Sequence, residues 1–480
     1  MKILAIVALF AFSSQTVTPQ TDCDCARQFS FLRSYMERNY PGFNDKVNGK
    51  TVKKYRELSD SLQRLAGVEK REIFCAGILK SWTKFFRDGH IQIGFNSLNI
   101  SESDTAAIDS INNATEHFKI SDSRLKELSR QTDPTSRVEG VYVYKDSTYK
   151  VVVLGKFRPG SDYAGVILES RTKFWEPGEV KFELSVKSGT KDTFSGLFYY
   201  RDHHAEVTDF VFQKGTFNDG EWVKEGVVQA RKSKDAETAA ISELPFSARK
   251  IDDSTLYIRI AWFDGQFARL VDSVVTASDS LLRRLPNLVL DLRGNGGGSD
   301  WSYHSLLPLI YTGQFMTSGV EVLSTEDNRR AWESLLADNT MPEDVKNEVR
   351  QKIDSMKIHP DQFTTIVPDF PTRFDSVLPF PKRIAVLMNK GCGSTTEQFL
   401  LAAKESRKVT LMGENSAGVL DYSNQRGMKF PCGHFMLYYP TTRSRRLPNN
   451  PIDNIGIEPD ITLPAGGDWV MLATKHLEGK

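Results

Sequence analysis

The stretch RIAVLMNKGCGSTTEQFLLAAK at residues 383–404 decides the fold of the C-terminal half of the chain. Its aliphatic start has the pattern of a strand buried on both faces. Two glycines then break the pattern, and apolar residues recur at helical spacing after Ser394, with Glu397 three residues on as in a capping box. Ser394 is therefore predicted at a sharp strand-to-helix turn, beside unpaired backbone N–H groups and a positive helix dipole. That position suits a simple helix cap or a nucleophile and its oxyanion.

Upstream of this stretch, the chain predicts a strand–helix–strand unit. TLYIRIAWF (255–263) is typical of a strand, VDSVVTASDSLLRRL (271–285) of an amphipathic helix, and NLVLDLR (287–293) of a second buried strand. A connection of this length indicates a sheet that is at least partly parallel, and hence an α/β domain. A glycine-rich loop, residues 294–298, follows the second strand.

Three segments together resemble the S41 peptidase family, the C-terminal-processing (tail-specific) and tricorn-core-like serine proteases. They are DLRGNGGG at 291–298, STTE at 394–397 and GENSAG at 413–418. The resemblance covers roughly residues 250–465 and, more weakly, 23–95. It implies a spiral sheet core of the ClpP/crotonase kind, with Ser394 as the nucleophile and the glycine run as part of the oxyanion hole. Periodicity alone supports only an α/β fold.

The rest of the chain predicts two further regions, which makes the fold class multidomain α/β. Residues 20–97 indicate an N-terminal helical region, and 98–137 a linker. Residues 138–232 are short β-branched and aromatic segments between turns, which predict an antiparallel β domain. Many S41 proteases carry a PDZ domain at this point, but no carboxylate-binding loop of that kind is evident here. The S41-like domain is expected at 250–480, with an insertion at about 325–375.

Composition and the N-terminus limit the class of partner. The net charge of +1 includes no dominant basic patch, so nucleic acid is not an expected partner. Residues 1–19 have the pattern of a secretory signal peptide, and no other apolar run reaches the roughly 18 residues of a membrane span. We therefore expect a secreted or periplasmic protein with no stable membrane insertion after signal cleavage. The oligomeric state is left open.

A serine hydroxyl needs a base to act as a nucleophile at neutral pH. In the bacterial C-terminal-processing branch the base is a lysine after the glycine of the downstream motif, where this chain has Val419. The tricorn-like branch uses a histidine at the end of the helical region, which matches His90 in Asp88-Gly89-His90. The resemblance thus implies His90 as the general base, although Gly89 stands where the tricorn pattern has a serine.

The same resemblance suggests the remaining site residues. Asp453 occupies the family's acidic slot and is expected to orient the imidazole or a polar relay. Glu458 or Asp460 could take its place, or all three could be surface residues. The oxyanion hole is expected to combine the Thr395 N–H with a glycine N–H, Gly297 first and Gly298 next.

Five cysteines in an exported protein suggest disulfides with one cysteine left over. We predict a bridge between Cys392 and Cys432, because the family fold would bring their flanking strands close. The alternative is that both are buried free thiols. No short-spaced Cys/His cluster predicts a metal site, and the resemblance implies no metal or organic cofactor.

These features predict an exported serine endopeptidase that hydrolyses peptides or unfolded proteins through an acyl-enzyme on Ser394. Because the lysine is missing and Gly89 departs from the pattern, a catalytically silent peptide- or ligand-binding protein is the alternative. An esterase is a third possibility, separable only by substrate tests.

Overall fold

The computed structural model describes residues 23–479 except 70–71, 97–99, 130–134, 159–160, 188, 204, 228–243 and 340. The predicted signal peptide lies outside the described residues. The predicted fold class is confirmed: the chain is mixed α/β, with an N-terminal helical region, an antiparallel barrel and a C-terminal α/β region. Among the described residues, no helix has both the length and the apolar content needed to cross a membrane.

The N-terminal region packs its helices around an aromatic core that includes Phe29, Trp82 and Phe86. Asp24 caps the first helix by accepting a hydrogen bond from the Arg27 N–H at 2.9 Å. The helices are α1 (Cys25–Asn39), α2 (Phe43–Lys46), α3 (Val52–Val68) and α4 (Glu72–Thr83). A short strand, β1 (Gln92–Phe95), follows directly after His90.

Two helices, α5 (Thr105–Ala114) and α6 (Asp122–Ser129), precede a closed antiparallel barrel of eight strands. The barrel closes because its last strand pairs with its first, which leaves no free sheet edge. Phenylalanine and tryptophan side chains such as Phe182, Phe210 and Trp222 fill its interior. Its strands are β2 (Gly140–Tyr144), β3 (Tyr149–Arg158), β4 (Ser161–Ser170), β5 (Val180–Val186), β6 (Thr193–Tyr199), β7 (Ala205–Gln213), β8 (Thr216–Phe217) and β9 (Trp222–Lys224).

The α/β region is built on a six-stranded sheet. The sheet contains β10 (Phe246–Lys250), β11 (Thr255–Ile260), β12 (Asn287–Asp291), β17 (Arg383–Met388), β18 (Val409–Gly413) and β21 (Ile461–Thr462). The strands lie in the order β10-β11-β12-β17-β18-β21. All neighbouring pairs are parallel except β10–β11, which agrees with the predicted strand–helix–strand unit. The helices around it are α7 (Ala268–Ala277), α8 (Asp279–Leu282), α9 (Leu307–Ile310), α12 (Thr395–Lys404) and α13 (Trp469–Glu478).

A second sheet joins the N-terminal region to the C-terminal one. Besides β1 it contains β14 (Val320–Leu323), β15 (Phe363–Val367), β19 (Tyr422–Lys429) and β20 (Phe435–Ser444). In it β20 pairs antiparallel with β1, with Gln92 opposite Tyr438, and also with β19 and β14. Helices α10 (Glu326–Glu333) and α11 (Glu343–Ile358) cover it, and β13 (Phe315–Thr317) pairs with β16 (Phe370–Thr372) nearby. The pairing with β1 brings His90 to the α/β region.

The predicted Cys392–Cys432 bridge is wrong. Cys432 is bonded to Cys23, Cys25 is bonded to Cys75, and Cys392 is a buried free thiol. Cys432 lies between β19 and β20, in the core that this hairpin shares with the N-terminal helices, whereas Cys392 lies in the core of the six-stranded sheet. The two cysteines thus belong to different cores, although both fall within the domain expected from the sequence.

Candidate active site

Ser394 stands at the turn between β17 and α12, as predicted. Its backbone has φ of 54°, the left-handed region that a serine seldom adopts and that often marks a functional turn. The Ser394 N–H donates to Glu397 Oε2 at 3.1 Å, the capping-box contact expected of S-x-x-E. This contact holds the sharp turn, and Ser394 lines the cleft beside it.

Glu397 does more than cap the helix. Its fully buried carboxylate also accepts hydrogen bonds from Ser416 Oγ at 2.5 Å, from the Gly418 N–H at 2.7 Å and from the Val419 N–H at 2.9 Å. One carboxylate therefore fixes the GENSAG loop against the serine turn. The sequence predicts only the capping role of Glu397, although its place in the same motif as Ser394 was a usable signal.

His90 reaches the serine across the chain. Its Nε2 lies 3.2 Å from Ser394 Oγ, although the two residues are 304 positions apart in sequence. The backbone N–H of His90 donates to Asp88 Oδ1 at 2.9 Å, and Gln425 Nε2 donates to the backbone carbonyl of His90 at 2.6 Å. The imidazole is 17% exposed. A histidine at this distance from a serine hydroxyl has the arrangement of a base and its nucleophile.

The acidic group nearest the imidazole is Asp88. Its Oδ1 lies 3.8 Å from His90 Nδ1, and its Oδ2 accepts a hydrogen bond from Tyr40 OH at 2.8 Å. Burial raises the pKa of Asp88, an effect that the charge of His90 opposes. Asp88 was part of the quoted D-G-H sequence, and its two-residue offset from His90 was the signal that could have identified it.

Asp453 lies behind this pair and does not touch the imidazole. Its Oδ1 accepts the N–H groups of Leu420 at 2.9 Å and Asp421 at 2.8 Å. Its Oδ2 has no hydrogen-bond partner and lies 3.8 Å from Lys46 Nζ. No hydrogen bond or ion pair in the described part of the chain joins Asp453 to His90. Burial, with the Asp88 charge adding to it, raises the pKa of Asp453 to about 7.

The glycine loop and the first turn of α12 both offer N–H groups for an oxyanion. Gly297, with φ of 105°, packs so closely that a Cβ would lie 2.9 Å from the Thr395 nitrogen. Its own N–H, however, donates to Asn295 Oδ1 at 3.1 Å. Among the described residues, the N–H groups of Gly296, Gly298 and Thr395 have no partner, and all three residues line the cleft. Gly298 therefore suits the role of donor better than Gly297.

The Val419 side chain packs against Gly89 and Gly393. A Cβ on Gly89 would lie 2.6 Å from Val419 Cγ1, and a Cβ on Gly393 would lie 2.8 Å from Val419 Cγ2. The two departures from the family patterns, Gly89 and Val419, are thus in contact. A side chain at 89 would need a smaller one at 419.

A cleft of about 710 Å³ opens in front of Ser394 and His90. Apolar side chains such as Leu307, Phe315 and Val320 form part of its lining, as in most small-molecule and peptide sites. The lining also includes charged residues: Asp300, Arg426 and Arg446. Such a cleft can hold several residues of an extended chain.

Cys392 is two residues from Ser394 but faces the interior. Its Sγ donates to the Leu292 carbonyl at 3.0 Å, and burial raises the pKa of the thiol to about 11. A thiol held protonated in this way is a poor nucleophile. Over the ranges that the structure describes, no group of three or more His, Cys, Asp or Glu side chains is arranged to hold a metal ion.

Comparison with known proteins gives one family match and several fold likenesses. Residues 254–463 match the family model for peptidase family S41. A structure of mature CPAF complexed with lactacystin is 14% identical, with 95% of this chain and 97% of that chain covered and a TM-score of 0.48. The photosystem II D1 C-terminal processing protease is 13% identical, with 92% of each chain covered and a TM-score of 0.37. The tricorn protease is 12% identical, with 95% of this chain and 37% of that chain covered and a TM-score of 0.39. No curated protein matches the chain.

Proposed function

Because this chain carries a peptidase family S41 domain at residues 254–463, we propose that it is an exported serine endopeptidase acting on peptides or unfolded proteins. The observation that carries the proposal is the 3.2 Å distance between His90 Nε2 and Ser394 Oγ at the edge of the cleft. The disulfides Cys23–Cys432 and Cys25–Cys75 support export, since such bridges persist in oxidising compartments.

In the proposed reaction, Ser394 Oγ attacks the carbonyl carbon of the scissile bond while His90 Nε2 takes the hydroxyl proton. The oxyanion accepts hydrogen bonds from the Gly298 and Thr395 N–H groups. The imidazolium then gives its proton to the leaving amine, which leaves an acyl-enzyme. Water, deprotonated by His90, attacks that ester and restores the free serine.

We assign to Asp88 the task that the resemblance gave to Asp453. For His90 Nε2 to accept a proton, the neutral ring must carry its hydrogen on Nδ1, the side that faces Asp88 Oδ1. The Asp88 charge stabilises the imidazolium as it forms. Asp453, whose own pKa the Asp88 charge raises, would act on Asp88 through charge and not on the ring.

The 3.2 Å contact favours the enzyme over the silent binding protein, because a base is present even though Val419 replaces the lysine. A fluorophosphonate probe separates the two functions. We expect stoichiometric labelling at Ser394, whereas a protein that stays unlabelled over a broad pH range would be a binder. An esterase would label equally and would hydrolyse esters but no peptide bond.

Replacing the nucleophile tests the mechanism. Ser394→Ala should lower kcat on a denatured protein substrate by about 10³-fold or more, because losing a nucleophile removes the covalent route. Its melting temperature should stay close to that of the parent. Cys392→Ala is the matched control, since it removes the neighbouring thiol and should leave labelling and hydrolysis intact. Cleavage by the Ser394→Ala protein at the parent rate would refute the assignment.

A further inference from the structure

Arg426 places an unpaired cation in the lining of the cleft. The residue lies on β19, next to Gln425, which holds the His90 carbonyl. Its guanidinium carbon lies 4.7 Å from the centroid of the Trp332 ring, and Nη1 donates to the Gln425 carbonyl at 2.8 Å. Nε is buried with no hydrogen-bond partner. Nη2 has no partner among the described residues either, but it is not buried, so it is available to a ligand.

No acidic side chain neutralises this cation. In the described part of the chain, Arg426 forms no ion pair with an Asp or Glu side chain, and no carboxylate acts on its pKa. The other cleft arginine differs: Arg446 is paired with Asp421 at 3.2 Å and also donates to the Leu420 carbonyl. Burial lowers the pKa of Arg426 to about 10, so the group is charged at neutral pH.

A buried charge without a counter-ion is costly, and the protein does not offset that cost from its own side chains. The aromatic face of Trp332 contributes only a weak attraction by comparison. Because Arg426 lines the cleft, an anion on a bound substrate could supply the missing counter-ion. The planar guanidinium is well matched to a carboxylate.

We propose that Arg426 forms a carboxylate-binding subsite, which selects substrates carrying an acidic side chain near the scissile bond. The inference rests on the proposed function, because it names the substrate class of the same cleft. It assigns Arg426 to substrate recognition and gives it no part in proton transfer. Arg426 lines the same cleft as His90 and Ser394, which places the subsite where a bound substrate passes the catalytic pair.

Binding to the Ser394→Ala protein tests the subsite apart from catalysis. Four pools of fluorescein-labelled octapeptides are compared by anisotropy: a fixed central Glu or Gln, each with a free C-terminal acid or an amide, and with neutral residues elsewhere. The protein with Arg426 should bind each Glu pool about tenfold or more tighter than the Gln pool with the same C-terminus, since charged hydrogen bonds are strong. A preference for the free acid alone, with Glu and Gln bound equally, would mean recognition of the chain end and would overturn the proposal.

Arg426→Met in the same background should abolish this preference while keeping the packing on Trp332. Arg443→Met is the matched control: Arg443 also stacks on a ring, at 3.6 Å from the Phe363 centroid, but it is paired with Glu321 and does not line the cleft. It should keep the preference. Equal binding of all four pools, or a preference that survives in a folded Arg426→Met protein, overturns the proposal.

The parent enzyme distinguishes the two levels of failure. If it labels with fluorophosphonate and cleaves neutral peptides as fast as acidic ones, the subsite is refuted and the peptidase stands. If it neither labels nor cleaves, but the Ser394→Ala protein still prefers the Glu pools, the peptidase is refuted and the subsite stands. Arg426→Lys gives a further check, because it retains the charge and should keep part of the preference.

Discussion

At the scale of single residues, the assignment of Asp88 as the acid beside His90 leads to the most direct test. Asp88 Oδ1 lies 3.8 Å from His90 Nδ1, whereas Asp453 has no contact with the ring. We predict that Asp88→Asn lowers kcat by about tenfold or more with little change in KM, because it removes charge that stabilises the imidazolium. Steady-state kinetics of Asp88→Asn and Asp453→Asn compare the two acids. A larger loss from Asp453→Asn would return the role to Asp453.

Gly89 and Val419 allow a second test at this scale. Gly89→Ala should destabilise the fold by about 1–3 kcal/mol, because its Cβ would meet the stiff Val419 side chain at 2.6 Å. Val419→Ala makes room for that methyl group. The double variant should therefore be more stable than the sum of the two single losses predicts, by about 0.5–3 kcal/mol. Urea unfolding of the four proteins measures this coupling, and strict additivity would contradict the contact.

At the scale of elements, the barrel contains a histidine that should make it sensitive to acid. His203 stacks on Trp175 with 3.9 Å between ring centroids, and its Nε2 lies 2.5 Å from the Phe174 carbonyl. Burial lowers the pKa of His203 to about 4, against roughly 6.5 in an unfolded chain. The unfolded state thus binds more protons between these values, so this contribution to stability is full above about pH 6.5 and is lost as the pH falls through 4.

His203→Gln keeps a donor for the Phe174 carbonyl and removes the titration. We expect the parent to lose about 1–3 kcal/mol more stability than this variant between pH 7 and pH 4. Because the nearby Glu179 and Lys181 also titrate, only the difference between the two proteins is informative. Tryptophan fluorescence during denaturation at each pH gives that difference. Parallel pH profiles would mean that His203 is not buried as a neutral ring.

At the scale of the whole molecule, the site depends on the contact between two distant parts of the chain. The N-terminal helices and the β19–β20 hairpin share one hydrophobic core, and the Cys23–Cys432 bridge joins them. Replacing both cysteines with serine should lower stability by about 2–5 kcal/mol. Activity should then be lost on heating before that of the parent, because His90 and Ser394 lie on opposite sides of this contact.

Peptide mapping without reduction checks the connectivity itself. We expect cross-linked peptides for Cys23–Cys432 and Cys25–Cys75, and a single alkylatable thiol, Cys392, after unfolding. A bridge that includes Cys392 would contradict the structure. Unchanged stability after reduction would show that the tether is dispensable.

The sequence by itself determined the features that depend on neighbouring residues. Apolar runs predicted β12 and β17, the change of period predicted the turn at Ser394, and three short motifs resembled peptidase family S41, whose family model matches residues 254–463. Alternating β-branched and aromatic residues predicted antiparallel strands, but not that they close into a barrel. These predictions succeeded because the periodicity of a strand or a helix depends only on the order of consecutive residues.

Only the tertiary structure decided which distant groups meet. The approach of His90 to Ser394 requires β1 to pair with β20, a contact that spans more than 300 residues. Our assignment of Asp88 over Asp453 and of Gly298 over Gly297, and the pairing of Cys432 with Cys23 and not with Cys392, depend on the directions of side chains and backbone N–H groups. Local patterns do not contain these directions, because they are set by how whole elements pack and by which buried polar groups that packing satisfies.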